Sequence, residues 1–263
     1  MSKIIHGEHD SRLGRAAEEL AGGIEGIQRL ARRRFLATAL GGVAGGLLAA
    51  TARADQAVTT GQFVFPRLQF SVYDNTPDIW NVHPIGDVNL RSKLRELTNI
   101  NASQEPKVVR LDDFDDMVRN PFVFMTSEGY FRIQPREERN LREFLERGGF
   151  ILADDCVFRS VEDRFFRTYN KLIDSLFPDN PMRKIPYDHE VFHIYFQFRN
   201  GCPHMQGVPH GAYGLFERGT GRLMTISCPG DIHCGWCNRY WHDGRDLEAI
   251  KMGINIIIYF LSH

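Results

Sequence analysis

Beyond residue 60, short continuous apolar runs alternate with longer stretches of helical spacing. Phe63-Val-Phe-Pro-Arg-Leu-Gln-Phe70 predicts a first strand, with Pro66 placing it near an edge or a bulge. Leu90, Leu94 and Leu97 share one face of a helix expected from about Val88 to Thr98, with Asp87 as its cap. Lys107–Leu111 and Phe122–Thr126 read as strands; the second is apolar enough to be covered on both faces. Pro135 opens a helix to about Arg147, with Glu137 and Glu138 suited to its N-terminus and Leu141, Phe144 and Leu145 as its buried stripe. Gly148-Gly149 stops it, and Phe150–Asp154 is a fourth strand. A helix from about Val161 to Leu176 follows, then an irregular region around 185–211. A hairpin-like pair (Ala212–Glu217 and Arg222–Cys228) and a closing helix from about Arg245 to Leu261 complete the chain.

Strands alternating with helices across short turns predict a mostly parallel sheet covered on both faces. The expected fold class is α/β: a flavodoxin-like, doubly wound single domain with an extra β-rich segment. No G-x-G-x-x-G follows the first strand and no G-x-x-x-x-G-K-S/T occurs, so nucleotide binding by a glycine loop is set aside.

The start of the chain has a different character. Arg32-Arg33, one residue before Phe35-Leu36, resembles the twin-arginine export motif. The apolar stretch Phe35–Ala50 holds four glycines, and Ala52-Arg53-Ala54 offers a small-x-small cleavage site. An uncleaved anchor is the rival reading, but the stretch falls short of the roughly 20 strongly apolar residues a span needs. We therefore expect a signal peptide over 1–54 and a single domain over 55–263, periplasmic or otherwise exported through the twin-arginine pathway, with no membrane span after cleavage. Past residue 54 the chain carries 24 Lys+Arg against 28 Asp+Glu, with no basic excess to hold nucleic acid. Its 43% hydrophobic and 25% charged residues exclude a disordered or coiled-coil chain.

In open α/β sheets ligands bind beyond the carboxyl ends of the strands. The fourth strand delivers Asp154, Asp155 and Cys156 there. Because side chains alternate, one carboxylate is expected to face the cleft as metal ligand or acid/base while the other caps a helix or ties down a loop. Asp188-His189-Glu190-Val191-Phe192-His193 is a second cluster. Two histidines four apart share a helix face and can hold one metal; in extended chain they stand about 13 Å apart, too far for one ion. His204, His210, His233 and His242 follow.

Five cysteines, Cys156, Cys202, Cys228, Cys234 and Cys237, leave at least one unpaired. Cys234-Gly235-Trp236-Cys237 has thioredoxin-type spacing but is expected in the loop between the last strand and last helix. A structural disulfide, metal binding and redox activity all remain open for it. Cys156, after a strand and before a helix, has the layout of the nucleophile of class I glutamine amidotransferases. It lacks the small neighbours of their elbow, reading Asp154-Asp155-Cys156-Val157-Phe158 instead.

Gly148-Gly149-Phe150 into Ala153-Asp154-Asp155, then Asp188-His189 and His193, Gly214, Arg222, Asp231, Gly235-Trp236 and Met252-Gly-Ile-Asn-Ile256 together resemble the bacterial domain of unknown function 4159. The resemblance implies a class I glutamine amidotransferase-like fold over roughly Phe63 to His263. It also implies Asp154, Asp155, His189 and His193 as the shared site. That family commonly carries Asn where this chain has Cys156, and the two cysteines around Gly235-Trp236 look like a private staple. The resulting expectation is an exported domain binding a small polar ligand in a strand-end cleft. Hydrolysis assisted by a divalent metal on Asp155, His189 and His193 fits that reading. A non-catalytic module binding a cell-envelope protein and a thiol redox protein using Cys234 and Cys237 are the rivals.

Overall fold

The computed structural model describes residues 61–72, 79–157, 159, 161–241 and 243–263; the leader expected over 1–54, and His242, lie outside them. Among the described residues seven strands form one sheet: β1 (Pro66–Gln69), β2 (Lys107–Arg110), β3 (Phe122–Ser127), β4 (Phe150–Asp155), β5 (Arg183–Lys184), β6 (Tyr213–Phe216) and β7 (Leu223–Cys228). Their order is β2-β1-β3-β4-β7-β6-β5. The first five are parallel neighbours, while β6 runs antiparallel to β7 and β5 antiparallel to β6. With helices in alternation, this is the flavodoxin-like, mostly parallel α/β sheet that the spacing predicts, and β5–β6 is its extra β-rich edge.

Two apolar layers flank the sheet. Phe122, Phe124, Phe150 and Leu152 face α1 (Ile85–Leu97), α5 (Ile232–Trp236) and α6 (Arg245–Ser262), which contribute Leu90, Leu94, Trp236, Ile254 and Ile257. Val123, Met125, Ile151 and Ala153 face α2 (Phe114–Arg119), α3 (Pro135–Glu146) and α4 (Arg164–Leu176), which contribute Met117, Leu141, Phe144, Phe165 and Ile173. Every residue of β3 and β4 is buried, so these two strands have no polar face to spare. No helix among the described residues is long and apolar enough to cross a membrane.

Three local expectations are corrected. β1 is an interior strand, paired on both sides, and Pro66 is tolerated because it is the first residue of the strand. The first helix starts at Ile85, so Asp87 lies inside its first turn, where it is buried against Arg67 instead of capping. The Cys-Gly-Trp-Cys segment forms α5 and its C-cap, not a loop, because Asp231 and Asp154 supply acceptors for its first amides.

Turn chemistry fixes where strands end. Gly148, at φ +97°, turns the chain out of α3, and the Gly149 N–H closes back on the Phe144 carbonyl at 2.8 Å. Phe150 therefore enters β4 in register with Phe122, and Asp155 opposite Ser127 becomes the last residue of the strand.

A thiol and imidazole cluster at the carboxyl edge

Asp154 and Asp155 leave β4 on opposite sides, and each meets the start of a helix. Asp154 accepts the Ile232 and His233 N–H groups at 3.2 and 2.9 Å, using both oxygens on the first turn of α5. Burial, with Asp231 beside it, pushes its carboxyl well above the usual carboxylate range. Asp155 accepts the Phe166 N–H at 2.8 Å in the first turn of α4. Its Oδ1 is buried without a hydrogen-bond partner, and burial raises the group to about 8. Both carboxylates thus tie down helices, the role expected of only one.

Asp231 binds the two neighbouring loops together. Its Oδ2 accepts the Val157 N–H at 3.0 Å and the Gln206 amide at 2.5 Å, and its Oδ1 accepts the Cys234 N–H at 3.1 Å. A single carboxylate therefore sets the heights of the residue after Cys156 and of Cys234. The two sulfurs face one another at 3.9 Å.

The third member of the cluster is His83, in the connection between β1 and α1. It stands beside the Cys156 side chain. One donor atom each from His83, Cys156 and Cys234 fall within 4.8 Å of one another. His83 is exposed while both sulfurs are buried, so the imidazole lies on the solvent side. His83 (φ +44°) and Asp231 (φ +57°) both hold left-handed backbone, a conformation non-glycine residues seldom adopt.

Below them, a buried brace holds the His83 loop. Arg67, on β1, meets Asp87 with two hydrogen bonds and donates NH1 to the Val82 carbonyl at 2.5 Å, one residue before His83. Its NH2 lies 3.0 Å from His233 Nε2. The same nitrogen lies 3.4 Å from Asp87 Oδ1, so the imidazole touches both members of the pair. Burial holds His233 below its usual value, keeping the ring neutral.

The electrostatics of the three cluster groups diverge. The Cys234 contact and then the neighbouring His83 draw the Cys156 thiol downward against burial, and the same proximity raises His83. Cys234 is held upward by Cys156 and by burial. Burial pushes Cys237 up to about 12; its sulfur lies 3.6 Å from the His233 carbonyl. All five cysteines are free thiols. The expected Cys234–Cys237 staple is thus replaced by a Cys156–Cys234 contact, because the α5 turn aims the two cysteines of the motif at different partners.

His189 and His193 do not join this site. They flank a 3-10 turn (Glu190–Phe192). His189 packs against Phe216 and Tyr259, and the Tyr259 hydroxyl accepts from Leu223 N–H at the start of β7. Asp154 pairs with Cys228 at the end of that strand, roughly 17 Å away at strand rise. His193 bonds the Tyr187 carbonyl at 2.8 Å and Gln197 at 3.1 Å. The expected ligand set of Asp155, His189 and His193 is therefore divided between the two ends of the sheet. His83, the cluster member that spacing did not single out, stands alone in sequence. Its signal is position, after a strand that reaches the carboxyl edge.

The fold and this edge define an α/β domain of the doubly wound class with a cysteine- and histidine-lined strand-end site. Residues 65–261 match the family described as Domain of unknown function (DUF4159), and the chain belongs to that family. No curated protein matches the chain.

Proposed function

We propose that the chain is an exported domain that binds a polar ligand in the strand-end cleft and acts on it by metal-assisted hydrolysis. In this reading His83, Cys156 and Cys234 hold the ion. The observation that carries it is the meeting of two thiols and an imidazole, from two loops and the helix α5, with donor atoms within 4.8 Å. Two thiolates on one tetrahedral zinc, each about 2.3 Å from it, stand about 3.8 Å apart. The 3.9 Å between the two sulfurs fits that separation. The donor set is soft and suits zinc over magnesium or calcium. Three protein ligands leave a fourth position, which is the pattern of catalytic sites, where the ion acts as a Lewis acid on a polar bond.

The neighbouring amides disfavour a nucleophilic Cys156 of the amidotransferase type. The N–H of Val157, which would stabilise an oxyanion, is already donated to Asp231. The twin-arginine-like leader supports export, and a cell-envelope compartment favours a carbohydrate or cell-wall fragment as ligand.

The test is elemental analysis of the reduced chain after zinc loading and gel filtration, beside Cys156→Ser, Cys234→Ser and His83→Ala. About one ion per chain in the wild type and loss of retained ion in each variant supports the reading. A wild type that retains no ion overturns it. Release of product from polysaccharide or peptidoglycan fragments, abolished by chelation, tests the hydrolytic step.

A further inference from the structure

We propose that Cys156 and Cys234 are an oxidative modification site, closing to a disulfide under peroxide and thereby switching off the cluster they share with His83. The inference rests on the metal reading only for its consequence, release of the ion.

Geometry selects this pair. The sulfurs are 3.9 Å apart, one after β4 and one in α5, 78 residues apart in sequence. Asp231 anchors the backbone at Val157 and at Cys234, so closing the gap to about 2.0 Å falls to side-chain rotation. Cys237 is turned to the His233 carbonyl, leaving Cys234 with Cys156 as its sulfur neighbour. Cys156 and Cys234 are only 3% and 4% exposed. A bulky disulfide oxidant has little access to them, whereas hydrogen peroxide is near the size of water.

The chemistry balances. The Cys156 sulfur attacks one peroxide oxygen, the O–O bond breaks, and hydroxide leaves to become water with the thiol proton. Cys156 is then a sulfenic acid. The Cys234 sulfur attacks it, the S–S bond forms, the S–O bond breaks, and the hydroxyl leaves as water with the Cys234 proton. Two thiols lose two electrons and one peroxide becomes two waters. A disulfide sulfur is a poor ligand compared with thiolate, so two of three ligands are lost together.

The full chain, zinc-free and zinc-loaded, is treated with one equivalent of hydrogen peroxide. Expected are the loss of two thiols, a non-reducing peptide map joining the Cys156 and Cys234 peptides, and release of zinc from the loaded sample. Cys234→Ser should instead accumulate a sulfenic acid on Cys156 that dimedone traps once the chain is unfolded in its presence, and Cys237→Ser should behave as wild type. Linkage of Cys234 to Cys237 or of Cys202 to Cys228, or no thiol loss, overturns the proposal. A chain that retains no zinc yet links Cys156 to Cys234 removes the metal reading alone. A chain that retains zinc and does not link them removes this inference alone.

Discussion

Arg67 and Asp87 form a buried two-pronged pair, Nε to Oδ2 at 2.8 Å and NH2 to Oδ1 at 2.6 Å. The same guanidinium grips the backbone that carries His83. Asp87→Asn removes the counter-charge and leaves the guanidinium buried, which costs about 3–5 kcal/mol. Urea unfolding should show a lower midpoint at unchanged slope. The thiol-to-imidazole contact, followed by His83 chemical shifts, should loosen in the same variant.

The acid and base limbs of stability are set by different carboxyls. Burial alone would raise Asp87, but its His233 and Arg67 contacts together hold it below the usual range. Its stabilisation is therefore present above its unfolded-state value and is lost as pH falls through the lower folded value. Asp155 has the opposite sign. Raised to about 8 by burial, it binds its proton more tightly folded than unfolded, so it opposes folding increasingly from about pH 4 up to about 8. Asp155→Asn, which mimics the protonated form, should gain on wild type as pH rises from 6 to 8, by up to about 1.4 kcal/mol per pH unit. Denaturant titrations at pH 6, 7 and 8 check this. A difference that does not change with pH would show that Asp155 titrates normally.

How far the sequence carried follows from what each signal encodes. Strands β3 and β4 and helices α3 and α6 were legible because burial is written residue by residue in their apolar spacing. The edge at Asp154–Cys156 was legible because strand ends follow from the glycine turn at 148–149. The partners of that edge were not. His83 and Cys234 lie 73 residues before and 78 after Cys156, and their meeting depends on β1 sitting beside β3 and on β7 inserting beside β4. No spacing rule spans such a crossover. Conversely, His189 and His193 have ligand spacing in sequence, yet the turn between them is 3-10 and packs at the far end of the sheet.

That separation yields a direct comparison. His189→Ala and His193→Ala should leave zinc retention unchanged, while His83→Ala should abolish it. His189 Nδ1 accepts the Val191 N–H at 3.2 Å, so its loss should cost about 1 kcal/mol of stability, as for other N-caps. Retained metal measured beside thermal unfolding separates the two effects. Metal lost with His189 at intact fold would return the site to the opposite end of the sheet.

Asp231→Asn isolates the acceptor that places both thiol loops. Asn tolerates left-handed backbone as Asp does, so the φ of +57° is not a source of strain in the variant. Its one remaining oxygen will serve the two donors at Oδ2, from Val157 and Gln206, and its amide nitrogen then faces the Cys234 N–H. Two donors meet, and the first turn of α5 must shift to relieve them. Because that turn carries Cys234, the sulfur separation changes even though neither ligand has been altered. Supporting residues of this kind typically govern 10–100-fold in metal affinity. We expect Asp231→Asn to weaken zinc binding by that factor in competition with a chromophoric chelator. Cadmium-loaded protein should keep two sulfur ligands in its ultraviolet charge-transfer band at saturating metal. An unchanged affinity would show that α5 is held by Asp154 alone.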